Sequence, residues 1–540
     1  MNDGQNADVE TPDSFARRWM AADPDPVTRA ELGGLLAVGD RIALQARFGA
    51  RLRFGTAGLR GPLGAGPNRM NRLTVRAAAV GLAVYLKPAS TVIVGYDGRT
   101  NSEVFSWDVA RVLRAAGHRA LRFSKLGPTP LLAFAVLHFE ADAGVMITAS
   151  HNPRQDNGMK VYLGDGAQLA PPTDLEIEAL MGTALEAIIG EAPGARLDRL
   201  ALAPSSEVES LGCEVAEAYV MGALSRVRLT AAPDARARLR IVHTAMHGVG
   251  TELAVELLRK AGFTDVHSVA AQADPDPAFP TVAFPNPEEP GALDLAIALA
   301  RSVDADLLLA NDPDADRLAV GVPDGQVEGG WQILRGDEVG WLLAEHLNPP
   351  SAATTVVSSS LLRAMAADRG WSYRETLTGF KWLARTGAAF AYEEALGYAV
   401  CDLVHDKDGL TAALVFADLA AGASPLDRLA AIEDRYGRHE TAQINVRDDI
   451  VGLMRRARRT APTSLAGIPV FRVADLEHGD GSLPPSDVVI VELGTESRPV
   501  GRVVIRPSGT EPKAKIYLEA IEPGLTLETL RGAVEAWLEL

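Results

Sequence analysis

The sequence predicts an α/β protein: three similar α/β modules with mixed sheets, followed by a C-terminal α+β domain, around a central cleft. Three observations carry this. At 540 residues the chain exceeds the size at which one hydrophobic core keeps growing, so several domains are expected. A rhythm of amphipathic helix and short continuous apolar strand starts three times, the pattern of layered α/β units with buried strands. After about Pro425 that rhythm gives way to separate strands and helices.

Each element has its own reason. Phe15 to Met20 and Arg29 to Phe48 have helical spacing without a reactive constellation, a helical extension at the N-terminus. The first module follows, with a helix over Leu73 to Leu86, a β-branched strand over Thr91 to Asp97, a helix from Val104 to Ala116 stopped by Gly117, and a strand Gly144 to Ile147 feeding a polar loop. The second has Val215 to Ala223, Leu239 to Thr244, Thr251 to Ala261 and Ala305 to Ala310. The third begins with Glu338 to His346, a strand over Thr354 to Ser358, and Leu361 to Asp368. Between Ala273 and Gly291 six prolines forbid regular structure, which leaves an ordered surface or hinge loop, or a plain connector. The last domain carries strands Val488 to Glu492 and Val500 to Ile505 and a closing helix Leu527 to Leu540. No exact repeat is present, and the expected divisions are 1–205, 206–325, 326–430 and 431–540.

Composition narrows the function. With 53 Lys and Arg against 70 Asp and Glu, the net charge of −17 repels nucleic acid and anionic membranes, so neither is an expected partner. A small phosphorylated substrate would need its basic groups gathered locally. Cys213 and Cys401 are too few for a disulfide framework, which points to a reduced cytoplasmic compartment and excludes thiolate metal sites. Met1 to Asp13 is polar and acidic, and no apolar run approaches the roughly 18 to 20 residues of a spanning helix, so a soluble chain is expected.

Four segments can carry chemistry. Thr148-Ala149-Ser150-His151-Asn152-Pro153 follows an apolar strand, and such a loop exposes a hydroxyl at the carboxyl edge of a sheet, where α/β sites lie; Ser150 is the candidate nucleophile. Taken alone, the segment also fits a turn in which Ser150 and Asn152 only satisfy backbone groups. Asn311-Asp312-Pro313-Asp314-Ala315-Asp316-Arg317 also follows a strand; three alternate carboxylates suit Mg²⁺, which accepts few protein oxygens beside phosphate oxygens, and the competing reading is a solvated acidic turn. The remaining two are Arg53 to Gly61, with three glycines and two arginines, and Arg506-Pro507-Ser508-Gly509-Thr510-Glu511-Pro512-Lys513. Each is a phosphate cradle or an ordinary turn.

Other chemistries fail on their patterns. There is no Gly-x-Ser-x-Gly elbow, no Gly-Lys-Ser/Thr phosphate loop, and Gly248-Val249-Gly250 has Leu253 where a dinucleotide fingerprint needs its third glycine. A calcium loop would want Gly and Glu where Arg317 and Pro323 stand.

Together the four segments resemble the α-D-phosphohexomutase family, over about Arg53 to Tyr517. Thr148 to Pro153 looks like its phosphoserine loop, Asp312 to Arg317 its metal loop, Arg506 to Lys513 its phosphate-binding loop, and Thr376 to Trp382 with Tyr392 to Gly397 its sugar-binding region. Phe279 to Pro290 is similar to a segment of the phosphoglucomutase-2-like and phosphopentomutase branch. The resemblance implies a central active-site cleft in which Ser150 carries a phosphoryl group and Mg²⁺ lies between it and Asp312, Asp314 and Asp316. It implies that His151, Lys160 and Arg60 serve general acid/base or electrostatic roles, that Arg317, Thr378, Gly379, Lys381, Glu393, Glu394 and Lys407 meet the sugar, and that Arg506, Ser508, Gly509 and Thr510 hold the idle phosphate. The implied reaction moves phosphate between C1 and C6 of a hexose through glucose 1,6-bisphosphate or an equivalent activator, in a monomer or homodimer. Phosphopentomutase and sugar phosphatase are the alternatives. Two departures bear on the sugar: Glu393-Glu394-Ala395 replaces the usual Glu-x-Ser, and His405 stands where Arg is common.

Overall fold

The computed structural model describes residues 12–190, 202–508 and 513–540. Three helices, Pro12–Ala22, Pro26–Val38 and Arg41–Phe48, form the N-terminal extension. Asp25 and Asp40 cap the second and third with their carboxylates, and Trp19, Leu32 and Leu44 are buried against the first module.

The first sheet has seven strands, with a parallel centre of Ala143–Ile147, Thr91–Tyr96 and Arg119–Phe123 and an antiparallel flank of Asp156–Leu163 and Gly58–Pro62. The short strand Glu209–Leu211, past the expected division at 205, closes its other edge. The second sheet has five strands and is likewise mixed: Arg240–Thr244 is parallel to Leu307–Ala310, while Ala319–Pro323 and Trp331–Ile333 run antiparallel. The third has four, built on Ser351–Thr355. That strand ends three residues before the expected Ser358. Val356 and Val357 leave the sheet to pack with Leu377 against Leu476, Val488 and Val504 of the C-terminal domain, so their β-branched character serves an interdomain contact rather than a ladder.

The last domain is a six-stranded antiparallel sheet from Arg438–Val446 to Ala514–Glu522, covered by helices Ile450–Arg459 and Leu527–Leu538. Its core is separate. One contiguous apolar cluster runs from the N-terminal helices through all three modules to Ile432, whereas Leu453, Val491, Val503, Ile516 and Leu530 belong to a second. Among the described residues no single helix is long and apolar enough to cross a membrane.

Candidate active site

Ser150 stands just beyond Ile147, the end of the central strand, in a left-handed conformation with φ +51° that a non-glycine residue adopts only when its surroundings impose it. Thr148 Oγ1 accepts its backbone N–H, and Ser150 Oγ donates to Asp312 Oδ2 at 2.6 Å. A loop from the first sheet and a loop from the second, 162 residues apart, thus meet at one hydroxyl.

Asp312, Asp314 and Asp316 are fully buried, with one oxygen of each lying within 4.8 Å of the others. Burial and the charges of Asp314 and Asp316 push the Asp312 carboxyl up to about 8. Asp314 goes the other way: despite burial it is held well below the usual carboxylate range by Lys160 and Thr129. Lys160 Nζ donates to Asp314 Oδ2 at 2.6 Å and to Asp316 Oδ2, and Lys407 Nζ is 3.1 Å from the same Asp316 oxygen. Asp314 Oδ1 and Asp316 Oδ1 are buried with no partner. Orphaned carboxylate oxygens are costly unless a cation takes them, so this oxygen-only donor set fits Mg²⁺.

Basic groups ring the cluster. Arg60 Nη1 donates to Asn152 Oδ1 at 3.3 Å, Arg317 donates its backbone N–H to Asp312 Oδ1, and the Arg60 and Arg317 Nε atoms are buried without partners. His151 feels both charges: burial and the guanidiniums of Arg317 and Arg60 hold its pKa well below the ordinary value, leaving a neutral imidazole.

The residues expected to meet the sugar, Arg317 apart, come from the third module. Burial pushes Glu393 up to about 7, against the pull of Lys407 and Arg317. Glu394 accepts from Ser358 Oγ at 3.1 Å and Thr355 Oγ1 at 3.3 Å. Thr378 is half-buried, and Gly379 sits at φ +107° with a would-be Cβ 2.7 Å from Thr56 Cγ2, so only glycine lets this loop touch the Arg53 to Gly61 segment. Lys381 is paired with Asp174, its Nζ 3.3 Å from Oδ2. Lys407 is placed by Asp406, which accepts from Tyr162 and Gln168, and by Asp408, the N-cap of helix Gly409–Gly422.

In the C-terminal domain, strand Arg498–Pro507 sets Arg506 beside Tyr517, whose hydroxyl is pushed up by burial and Glu394 while Arg506 pulls it down. Ser508 N–H donates to Lys513 O, closing the base of the loop; Gly509 and Thr510 lie outside the described residues. A cavity of about 500 Å³ opens between the second and third modules and this domain, lined by Glu288, Glu394, Leu396, Thr441 and Tyr517.

Three participants escaped sequence reasoning. Arg99, just past the strand expected to end at Asp97, drew no functional reading, yet it is buried against the Ser150 loop. Thr129 meets Asp314 through both its hydroxyl and its N–H. The proline-rich segment is no mere connector: its Glu288 lies 3.6 Å from Arg317. Only that segment carried a signal, its density of prolines.

A strained hydroxyl beside a cation-ready carboxylate trio, ringed by guanidinium and ammonium groups on an α/β scaffold, defines a phosphoryl-transfer enzyme. Four family models match the chain: phosphoglucomutase/phosphomannomutase alpha/beta/alpha domains I, II and III over residues 51–187, 217–325 and 335–436, and the C-terminal domain over 489–534. The chain is 42% identical over 474 residues to the Haemophilus influenzae protein named "Probable phosphomannomutase", covering 84% of this chain and 93% of that one. It is 34% identical over 569 residues to the phosphopentomutase of Mus musculus, covering 95% and 90%. A phosphoglucomutase/phosphomannomutase family protein from Burkholderia thailandensis has the same fold, with a TM-score of 0.68 at 22% identity over 90% of this chain and 97% of that one. The protein belongs to the phosphoglucomutase/phosphomannomutase family. It is a phosphosugar mutase, an isomerase that transfers phosphate within its substrate.

Proposed function

We propose that the protein interconverts the 1- and 6-phosphates of a hexose, glucose or mannose, through phosphorylated Ser150 and a 1,6-bisphosphate, acting in the cytoplasm. The observation that carries this is the 2.6 Å contact of Ser150 Oγ with Asp312, which sets the only strained hydroxyl of that loop against the carboxylate trio. Asp312, Asp314 and Asp316, with an oxygen of the phosphorylated serine, would hold Mg²⁺, which when bound offsets charge on the transferring group.

The chain's own residues do the rest. As the sugar's free hydroxyl attacks phosphoserine, its P–O bond forms while the Ser150 Oγ–P bond breaks; the serine oxygen regains a proton as the hydroxyl loses one. Neutral His151, next to Ser150 in the chain, is the base we assign to take the proton the sugar hydroxyl loses and to hand it to the serine oxygen. Arg60, Arg317 and Lys160 supply fixed positive charge where the phosphoryl oxygens pass. Glu393 and Lys407 grip sugar hydroxyls, and Arg506 with Ser508, Gly509 and Thr510 anchors the idle phosphate. The bisphosphate then turns end for end and the second phosphate returns to Ser150. A pentose reading is favoured by one observation: likeness to the mouse phosphopentomutase extends over 95% of the chain.

Phosphorus NMR of a panel of hexose and pentose 1-phosphates, with Mg²⁺ and a trace of glucose 1,6-bisphosphate, tests the proposal. Glucose or mannose 1-phosphate is expected to convert to its 6-phosphate, with loss of roughly 10⁴-fold or more in Ser150→Ala. Preferred turnover of ribose 1-phosphate would move the assignment to the pentose reaction. Release of inorganic phosphate as fast as isomerisation would make the enzyme a phosphatase, and full turnover by Ser150→Ala would end the serine mechanism.

A further inference from the structure

The shape of the Ser150 loop is held from behind by one buried side chain. Arg99 Nη2 donates to the carbonyl oxygens of Ser150 and Asn152, both at 2.6 Å, and Nη1 to those of Pro153 at 2.9 Å and Asp156 at 3.1 Å. Asp97 lies 3.6 Å from Nε as counter-ion. Four main-chain carbonyls of the seven-residue stretch from Ser150 to Asp156, the nucleophile's own among them, are therefore fixed by a single guanidinium plane.

That plane rests on an aromatic ring from the other module. The Arg99 Cζ is 5.0 Å from the centroid of Phe279, a residue of the proline-rich loop that is 4% exposed and itself at φ +47°. The ring is backed edge-on by His247 at 6.4 Å, and His247 Nε2 is 2.8 Å from Thr281 Oγ1. His247 also receives the loop's Asp276 N–H on its carbonyl, and two residues on Val249 N–H donates to Pro313 O of the metal loop. The proline-rich loop is thus wedged between the nucleophile loop and the metal loop, in contact with both anchorages and with neither reacting group.

We propose that Phe279 is a positioning residue for Ser150, acting through Arg99. A guanidinium whose edge is committed to four carbonyls is fixed against rotation about that edge only by what covers its face, and a ring does so while favouring the charge. Without the ring the guanidinium tilts, the carbonyls follow, and Ser150 Oγ drifts from Asp312; displacement near 1 Å costs about 100-fold in a reaction of this kind. The prolines have a purpose in this: they stiffen the loop, so the ring arrives already placed. The inference rests on the reading of Ser150 as phosphoryl carrier.

Phe279→Leu keeps apolar bulk and removes the aromatic face. It is expected to lower kcat roughly 10- to 100-fold, with KM for the monophosphate within about twofold and an unchanged melting temperature, because Glu393, Lys407 and Arg506 are untouched. Transfer of phosphate from glucose 1,6-bisphosphate to Ser150, followed by phosphorus NMR, should slow by the same factor. Arg99→Lys, unable to fork to four carbonyls, should match it. Wild-type kcat in Phe279→Leu overturns the proposal, as does a loss shared equally between kcat and KM with a lowered melting temperature, which would make the ring simple packing. Ser150→Ala run alongside separates the two readings: turnover there defeats the carrier assignment itself, whereas an inactive Ser150→Ala beside a fully active Phe279→Leu defeats only the role of Phe279.

Discussion

Two buried ionic clusters, built from the same residue types, differ in how completely they are satisfied. In the first, Asp314 and Asp316 meet Lys160, and Asp316 also meets Lys407, while buried Asp314 Oδ1, Asp316 Oδ1, Arg60 Nε and Arg317 Nε have no partner. In the second, at the seam of the third module and the C-terminal domain, Glu375 receives Arg363 at 2.7 Å, Arg502 at 2.9 Å and the Tyr373 hydroxyl at 2.8 Å, while Glu492 takes Arg363 and Arg472. There the single orphan is Arg502 Nε. The pKa directions follow: burial wins at Asp312, pushed up to about 8, whereas at Glu375 Arg502 and Arg363 overcome burial and bring it down to about 2. A cluster with groups left over is waiting for a ligand, and a closed one is holding two bodies together.

Substitutions in each cluster should separate these roles. The largest effect is expected for Asp314→Asn, which keeps shape but removes charge from the site proposed for Mg²⁺. Its kcat should fall roughly 10³- to 10⁴-fold with no loss of melting temperature; wild-type activity with undiminished Mg²⁺ dependence would break the comparison. Next comes Glu375→Gln, which leaves two arginines facing a neutral group and should cost about 3 kcal/mol of stability while sparing kcat. The pH dependence has a definite sign. A carboxyl whose folded pKa is near 2 against an ordinary 4.5 stabilises fully above 4.5, and that stability is lost as the pH falls from 4.5 to 2. Acid melts of the wild type should show this loss and Glu375→Gln should flatten it; parallel curves would deny the network its role. The smallest effect belongs to Glu393. Since burial lifts its pKa to about 7, kcat/KM should rise through neutral pH as the carboxylate forms, and Glu393→Gln should remove that limb and cost about tenfold. An unaltered pH profile would take Glu393 out of sugar binding.

How far the sequence could be read depended on whether a group's partner was local. Ser150 and the Asp312 to Asp316 loop were legible because their chemistry lies within a few residues after an apolar strand, and the sheet edge places such loops without further information. The module order was legible for the same reason, from helix and strand periods. The pairing of Lys381 with Asp174, 207 positions away, was not: nothing in Thr376 to Trp382 announces that partner. Arg99 gave no signal, since the four carbonyls it holds carry no side-chain signature. The strand Ser351–Thr355 was misplaced because Val356 and Val357 have strand propensity that tertiary packing uses elsewhere.

The joints between units set what can move. The Asp312 to Arg317 loop and the Tyr392 to Gly397 segment are tied by main chain, Arg317 bridging to Gly397 and Leu318 N–H donating to Leu396 O, and both share the large core of the first three modules. The C-terminal domain has a core of its own and, among the described residues, meets the third module through a small apolar cluster and hydrogen bonds that each involve a side chain. The molecule is in effect a rigid vessel with one detachable wall. In the reaction proposed above, a bisphosphate that must tumble inside needs room for a moment and confinement the rest of the time, so swings of that wall, on the microsecond to millisecond scale of domain motion, would set how often a half-finished sugar is lost to the surrounding water.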